Sequence, residues 1–138
     1  MSDLGTALVA EHAAIFGYGV AGAQLTGAPQ DAARAAEAAH RARRDALLVL
    51  LAAASSSAPP AAPAYALPFP VTDPAAALRL AVHLEERTAT VWQRALGTTT
   101  GEQRKLALDA LTDCAVRAAR WRRTAGVNPA TVPLPGGS

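Results

Sequence analysis

Proline and glycine mark off four stretches in this sequence, each long enough to be a bundle helix. The first opens after Ser2, a good N-cap, with Asp3 in the first turn where its charge suits the helix dipole. It runs to about Thr26, with Gly27 as its stop. The second starts at Pro29, acceptable in a first turn, and continues to about Ala54. Thr72-Asp73-Pro74 caps the third, which closes at Gly97; the fourth starts near Thr99 or Thr100 and ends at Gly126. The pattern predicts an all-α chain. Residues 1–126 form one four-helix domain, and residues 127–138 form an irregular tail, since three prolines and two glycines fall within it.

Composition agrees. The chain has 138 residues, enough for one domain with one core. Hydrophobic residues make up 51% and aromatics only 4%, so alanine, the best helix former, carries much of the apolar count. A β-rich chain would need more branched and aromatic side chains. The net charge of +2 is modest. Arg117, Arg120, Arg122 and Arg123 crowd the end of the fourth helix, where the dipole favours cations without any polyanion, so no nucleic-acid partner is expected. Cys114 is the one cysteine, which excludes an internal disulfide and fits a cytoplasmic setting. It lies on the apolar face of its helix (Leu108, Leu111, Cys114, Ala115, Ala118, Trp121) and reads as a small buried hydrophobe. Met1 to Gly5 does not resemble a signal peptide, and the most apolar run, residues 46–54, is too short to span a bilayer. No membrane partner is expected.

Between the second and third helices lies a Ser-, Ala- and Pro-rich segment, residues 55–71. Tyr65, Leu67 and Phe69 within it argue for a strap packed on the helices rather than a free linker. Proline-rich chain advances about 3.1 Å per residue, so the segment reaches roughly 50 Å, more than the ~35 Å of a 23-residue helix. The strap can therefore return along the whole bundle and leave the second and third helices parallel. This single long crossover is the topology of ferritin-like bundles.

Acids interrupt the apolar seams. In the first helix the seam reads Leu4, Leu8, Glu11, Ile15, Tyr18, Gly22, Leu25; in the third, Leu78, Val82, Glu85, Ala89, Trp92, Leu96. In the second, Ala33, Glu37, His40, Arg44, Leu47 and Leu51 share a face. The expected core network is therefore Glu11, Tyr18, Glu37, His40, Arg44 and Glu85. Glu37 and His40 have the Glu-x-x-His spacing used twice over in ferritin-type di-iron sites. The fourth helix supplies no such pair, and Asp113 is placed to bond Arg117 one turn on. A dinuclear centre is thus not expected. Two readings remain open. In one, a binding or structural protein has an ion-pair core with Arg44 in place of metal, and no cofactor. In the other, a storage or redox protein holds one ion, iron or manganese or zinc, on Glu11, Glu37, His40 and Glu85. No nucleophile-and-base pair or phosphate loop marks an enzyme. A homodimer or higher homo-oligomer suits the alanine-rich faces.

The stretches Ala10-Glu11-His12-Ala13-Ala14 through Tyr18-Gly19, His40-Arg41-Ala42-Arg43-Arg44-Asp45, Tyr65-Ala66-Leu67-Pro68-Phe69-Pro70 and the Trp121-Arg122 region resemble an alanine-rich actinobacterial family, the ferritin-like domains of unknown function. The resemblance runs from Leu4 to about Gly136. It implies the four-helix fold and no established activity.

Overall fold

A computed structural model describes residues 1–127, and the tail beyond Val127 lies outside the described residues. Four helices follow one another: α1 (Asp3–Ala23), α2 (Gly27–Ala53), α3 (Pro74–Leu96) and α4 (Gly101–Ala125). Side chains cap two of them. The Ser2 hydroxyl accepts from the Gly5 amide at 3.0 Å, and the Asp73 carboxylate from the Ala76 amide at 2.7 Å, with Pro74 in the first turn. α2 and α4 start differently: Thr26 and Thr100 make no side-chain cap, and Gly27 and Gly101 follow at φ of 62° and 60°. Gly27 is thus the first residue of α2 and not the stop of α1, which already ends at Ala23. Its left-handed backbone turns the chain sharply enough for a connection of three residues, 24–26.

The matching Thr-Gly entries are one sign of an internal repeat. Adding 74 to a residue number in the first hairpin lands on its counterpart in the second: Gly27 on Gly101, Glu11 on Glu85, Tyr18 on Trp92. The bundle is two similar helical hairpins, α1–α2 and α3–α4, joined by the strap.

Two apolar clusters fill the interior. One holds Tyr18, Ala21, Leu25, Ala33, Ala36, Ala77, Leu80, Leu84 and Trp121. The other holds Leu4, Leu8, Leu47, Leu51, Trp92, Ala95, Ala107 and Ala110. The start of α2 and the start of α3 share the first cluster, and their ends share the second. The two helices therefore run parallel, as the reach of the strap predicted. α1 packs on α2 and α3, α4 packs mainly on α3, and the α2/α4 seam is the thinnest of these contacts. At the α1/α3 crossing, Gly17 leaves room for Leu84: a Cβ there would come within 2.7 Å of its methyl groups. α1 is long and apolar enough to cross a membrane, but 56% of its apolar window is buried inside the bundle, and this packing accounts for its composition.

The strap lies on the bundle. Leu67 and Phe69 pack against the first cluster, Val71 is buried, and the Tyr65 ring centre is 5.9 Å from that of Phe16. Where α2 ends, Ser55 takes φ 54°, and the Ser56 amide bonds back to the Leu51 carbonyl at 2.9 Å. This is the position glycine favours at a helix end. Ser55→Gly is expected to stabilise the protein by about 0.5–1 kcal/mol, the relief of left-handed strain less the added chain entropy. A rise in melting temperature checks it; a fall would mean the Ser55 side chain holds the strap.

Candidate functional site

The polar core sits between the two apolar clusters. On α1, Glu11 and Tyr18 are seven residues apart and so lie on one face; on α3, Glu85 and Trp92 repeat that spacing. The helices are antiparallel, which sets each acid against the other helix's aromatic. Trp92 Nε1 donates to Glu11 Oε2 at 2.8 Å, and the Tyr18 hydroxyl donates to Glu85 Oε2 in a short bond. Trp121 Nε1 from α4 donates to the Tyr18 oxygen at 2.9 Å. His40 on α2 bridges both halves: Nδ1 lies 2.5 Å from Glu11 Oε1 and Nε2 lies 2.9 Å from Glu85 Oε2. Glu11 and Glu85 have no exposed surface and His40 has 1%.

Charge follows from geometry. Both ring nitrogens of His40 face carboxylate oxygens, so both donate when the imidazole is protonated. Burial pulls its pKa down, but the hydrogen bonds to Glu11 and Glu85, with their charges, outweigh burial and raise it to about 9. Burial, the Glu85 charge and the bond to Glu85 push the Tyr18 phenol well above its ordinary range. Burial, then the charges of Glu85 and Glu11, push the Cys114 thiol up likewise. A second cation comes from α4. Arg117 grips Asp113 at 2.8 and 3.0 Å, and its Nη1 lies 3.5 Å from Glu85 Oε1. Burial lowers the Arg117 pKa, but Glu85 and Asp113 more than reverse that and keep it charged. Glu85 Oε1 is nonetheless a buried side-chain oxygen with no hydrogen-bond partner among the described residues.

Of the six residues expected in this network, the structure brings together Glu11, Tyr18, His40 and Glu85. Glu37 and Arg44 stand outside it. Glu37 is partly exposed and pairs with Arg41 at 3.4 Å; Arg44 bonds its neighbour Asp45 at 3.0 Å. α2 presses inward through Ala33, Ala36, His40 and Leu47, a face centred slightly to one side of the expected seam. Long charged side chains at the edge of such a face turn to water. The same correction applies to α4, where Ala107, Ala110, Cys114, Ala118 and Trp121 face inward and Leu108 is 51% exposed. The cation that sequence reasoning assigned to Arg44 is Arg117, and the Trp92 and Trp121 donors were missed. The repeat held the clue, because Arg117 is the counterpart of Arg43, and both reach Asp113, Arg43 at 3.7 Å.

The donors do not fit a dinuclear metal centre. The Glu of the Glu-x-x-His pair points outward, its counterpart on α4 is Leu111, and Asp113 is held by Arg117. The remaining carboxylates are neutralised by His40 and Arg117. One smaller group does have ligand geometry: His40, Glu85 and Cys114, all buried, each bring a donor atom to within 4.8 Å of the other two.

Fold and core together define a four-helix bundle protein with a closed polar network at its centre. The chain matches, over residues 3–138, the family described as Domain of unknown function (DUF4439). It belongs to that family. It is similar to the crystal structure of a conserved hypothetical protein, rv2844, from Mycobacterium tuberculosis, with 41% identity, a TM-score of 0.85, and coverage of 88% of this chain and 93% of that one. No curated protein matches it.

Proposed function

We propose that this protein is a ferritin-like bundle in which a proton-bridged core has replaced the dinuclear metal centre, and that it serves as a non-redox binding or structural protein. The observation that carries the reading is the bridging His40, whose two nitrogens are both committed to the carboxylates an iron pair would need. Arg117 adds a fixed cation 3.5 Å from Glu85, which opposes a second dication by simple repulsion. The proposal extends to a cytoplasmic setting, supported by the unpaired Cys114. It extends also to self-association, for which the exposed Val49, Leu108 and Val116 on α2 and α4 are the apolar side chains an interface would cover.

Iron(II) and oxygen test the central point. Iron(II) should oxidise no faster with the protein present than in buffer alone. Catalysed oxidation that disappears in His40→Ala would overturn the reading.

A further inference from the structure

The internal repeat matches one more pair of residues. The offset that relates Glu11 to Glu85 and Tyr18 to Trp92 also relates His40 on α2 to Cys114 on α4. Where the first hairpin offers an imidazole, the second offers a thiol, and the two sit within 4.8 Å of each other and of a Glu85 oxygen. A buried thiol alone is an ordinary packing residue. Here it lies within 4.8 Å of a fully buried carboxylate, Glu85, whose Oε1 accepts no hydrogen bond among the described residues and has only the Arg117 guanidinium, 3.5 Å away, to offset its charge. Native interiors rarely leave a charged acceptor in that condition.

We propose that His40, Glu85 and Cys114 form a site for one thiophilic divalent cation, zinc(II), which enters across the α2/α4 seam. The inference rests on the preceding reading, because it needs a core with no room for a second ion. Thiolate, imidazole and carboxylate are zinc's own donor types, and three of them leave one of its four positions to an exogenous ligand. With Zn–S near 2.3 Å and Zn–N near 2.1 Å, donors around a tetrahedral ion lie roughly 3.3–3.6 Å apart, so the Cys114 thiol has to close in while the His40 Nε2 and Glu85 Oε2 atoms, now 2.9 Å apart, open slightly. The surroundings suit a ligand histidine. Glu11 holds His40 Nδ1, the carboxylate–histidine–metal arrangement that fixes ring orientation, and Trp92 in turn holds Glu11. Charge balances as well. As Zn²⁺ arrives, one proton leaves His40 Nε2 and one leaves Cys114 Sγ, so the core keeps its net charge.

A route exists. A groove of about 410 Å³ opens between the start of α2 and the end of α4, lined by Ala28, Pro29, Ala32, Ala36, Arg117 and Trp121. The Arg117 side chain in its wall is the group that reaches Glu85 Oε1.

Cobalt(II) is the probe, because a thiolate ligand gives it a charge-transfer band in the near ultraviolet, and Cys114 is the only thiol in the chain. Reduced, metal-free protein titrated with cobalt(II) should develop that band, saturate at one ion per chain, and lose the band on adding zinc(II). Cys114→Ala should abolish the band and weaken zinc binding, read by competition with a chromophoric chelator, at least tenfold. Should alanine loosen the fold, Cys114→Val restores apolar volume and carries the same test. Glu11→Gln should keep the band and weaken zinc about 10–100-fold, the usual effect of removing a histidine's supporting carboxylate. Absence of the band, saturation at two ions, or zinc affinity unchanged in Cys114→Ala would overturn the site. Catalysed iron oxidation would instead overturn the proposed function and leave a one-cobalt thiolate signal standing.

Discussion

His40→Leu should destabilise the metal-free protein by about 3–5 kcal/mol, the usual cost of removing one partner from a buried charge pair. The imidazolium is the only cation among the described residues in contact with both acids: Glu11 otherwise accepts only from the neutral Trp92, and Arg117 reaches Glu85 but not Glu11. Leucine fills similar volume, so the loss reports charge more than cavity. The double change His40→Leu with Glu11→Gln should recover part of it, since the amide removes the uncompensated charge while still accepting from Trp92. Urea titrations of the three variants check this. If His40→Leu unfolds within about 1 kcal/mol of the parent, less than the smallest cost of an uncompensated buried charge, the two carboxylates do not rely on a charged imidazole. His40 is then a neutral spacer.

A second large effect is pH. His40 has its pKa raised from the ordinary 6.5 to about 9 in the folded protein. A proton bound more tightly in the folded state stabilises it, so the contribution is complete below pH 6.5. It declines between 6.5 and 9 and is gone above 9. Holding the proton ten times more tightly is worth about 1.4 kcal/mol, so the loss across that window is of the order of 3 kcal/mol. Tyr18 and Cys114 are pushed upward and stay neutral, and Arg117 stays charged. His12 and His83, lowered chiefly by burial, change on the acid side. Chemical denaturation at about pH 6.5, 7.5 and 8.5 should show the fall, and His40→Leu should flatten it. A parent protein equally stable at all three values would contradict the bridging imidazolium.

The fold was legible because its signals are local. Alanine-rich stretches, the Asp73-Pro74 entry and the αL Gly126 ending α4 each act within a turn or two of chain, and the reach of the strap is a matter of length. Glu11, Tyr18 and Glu85 could be placed in the core because they interrupt apolar seams whose period is a property of the helix itself. Glu37 and Arg44 could not. They lie a small rotation around α2 from its buried face of Ala33, Ala36, His40, Leu47 and Leu51, and that rotation is set by how α2 packs on its neighbours. Sequence spacing cannot measure an approach distance between two helices. The same limit hid Arg117, which reads as the i+4 partner of Asp113 until α3 packs beside it and brings Glu85 to its free side. By itself, then, the sequence determined four helices, one crossover and the acids at the middle of two of them. Only the tertiary structure decided which cations meet those acids and that a thiol lies beside them, because charge pairing in a core depends on ångström-scale side-chain positions that no single helix specifies.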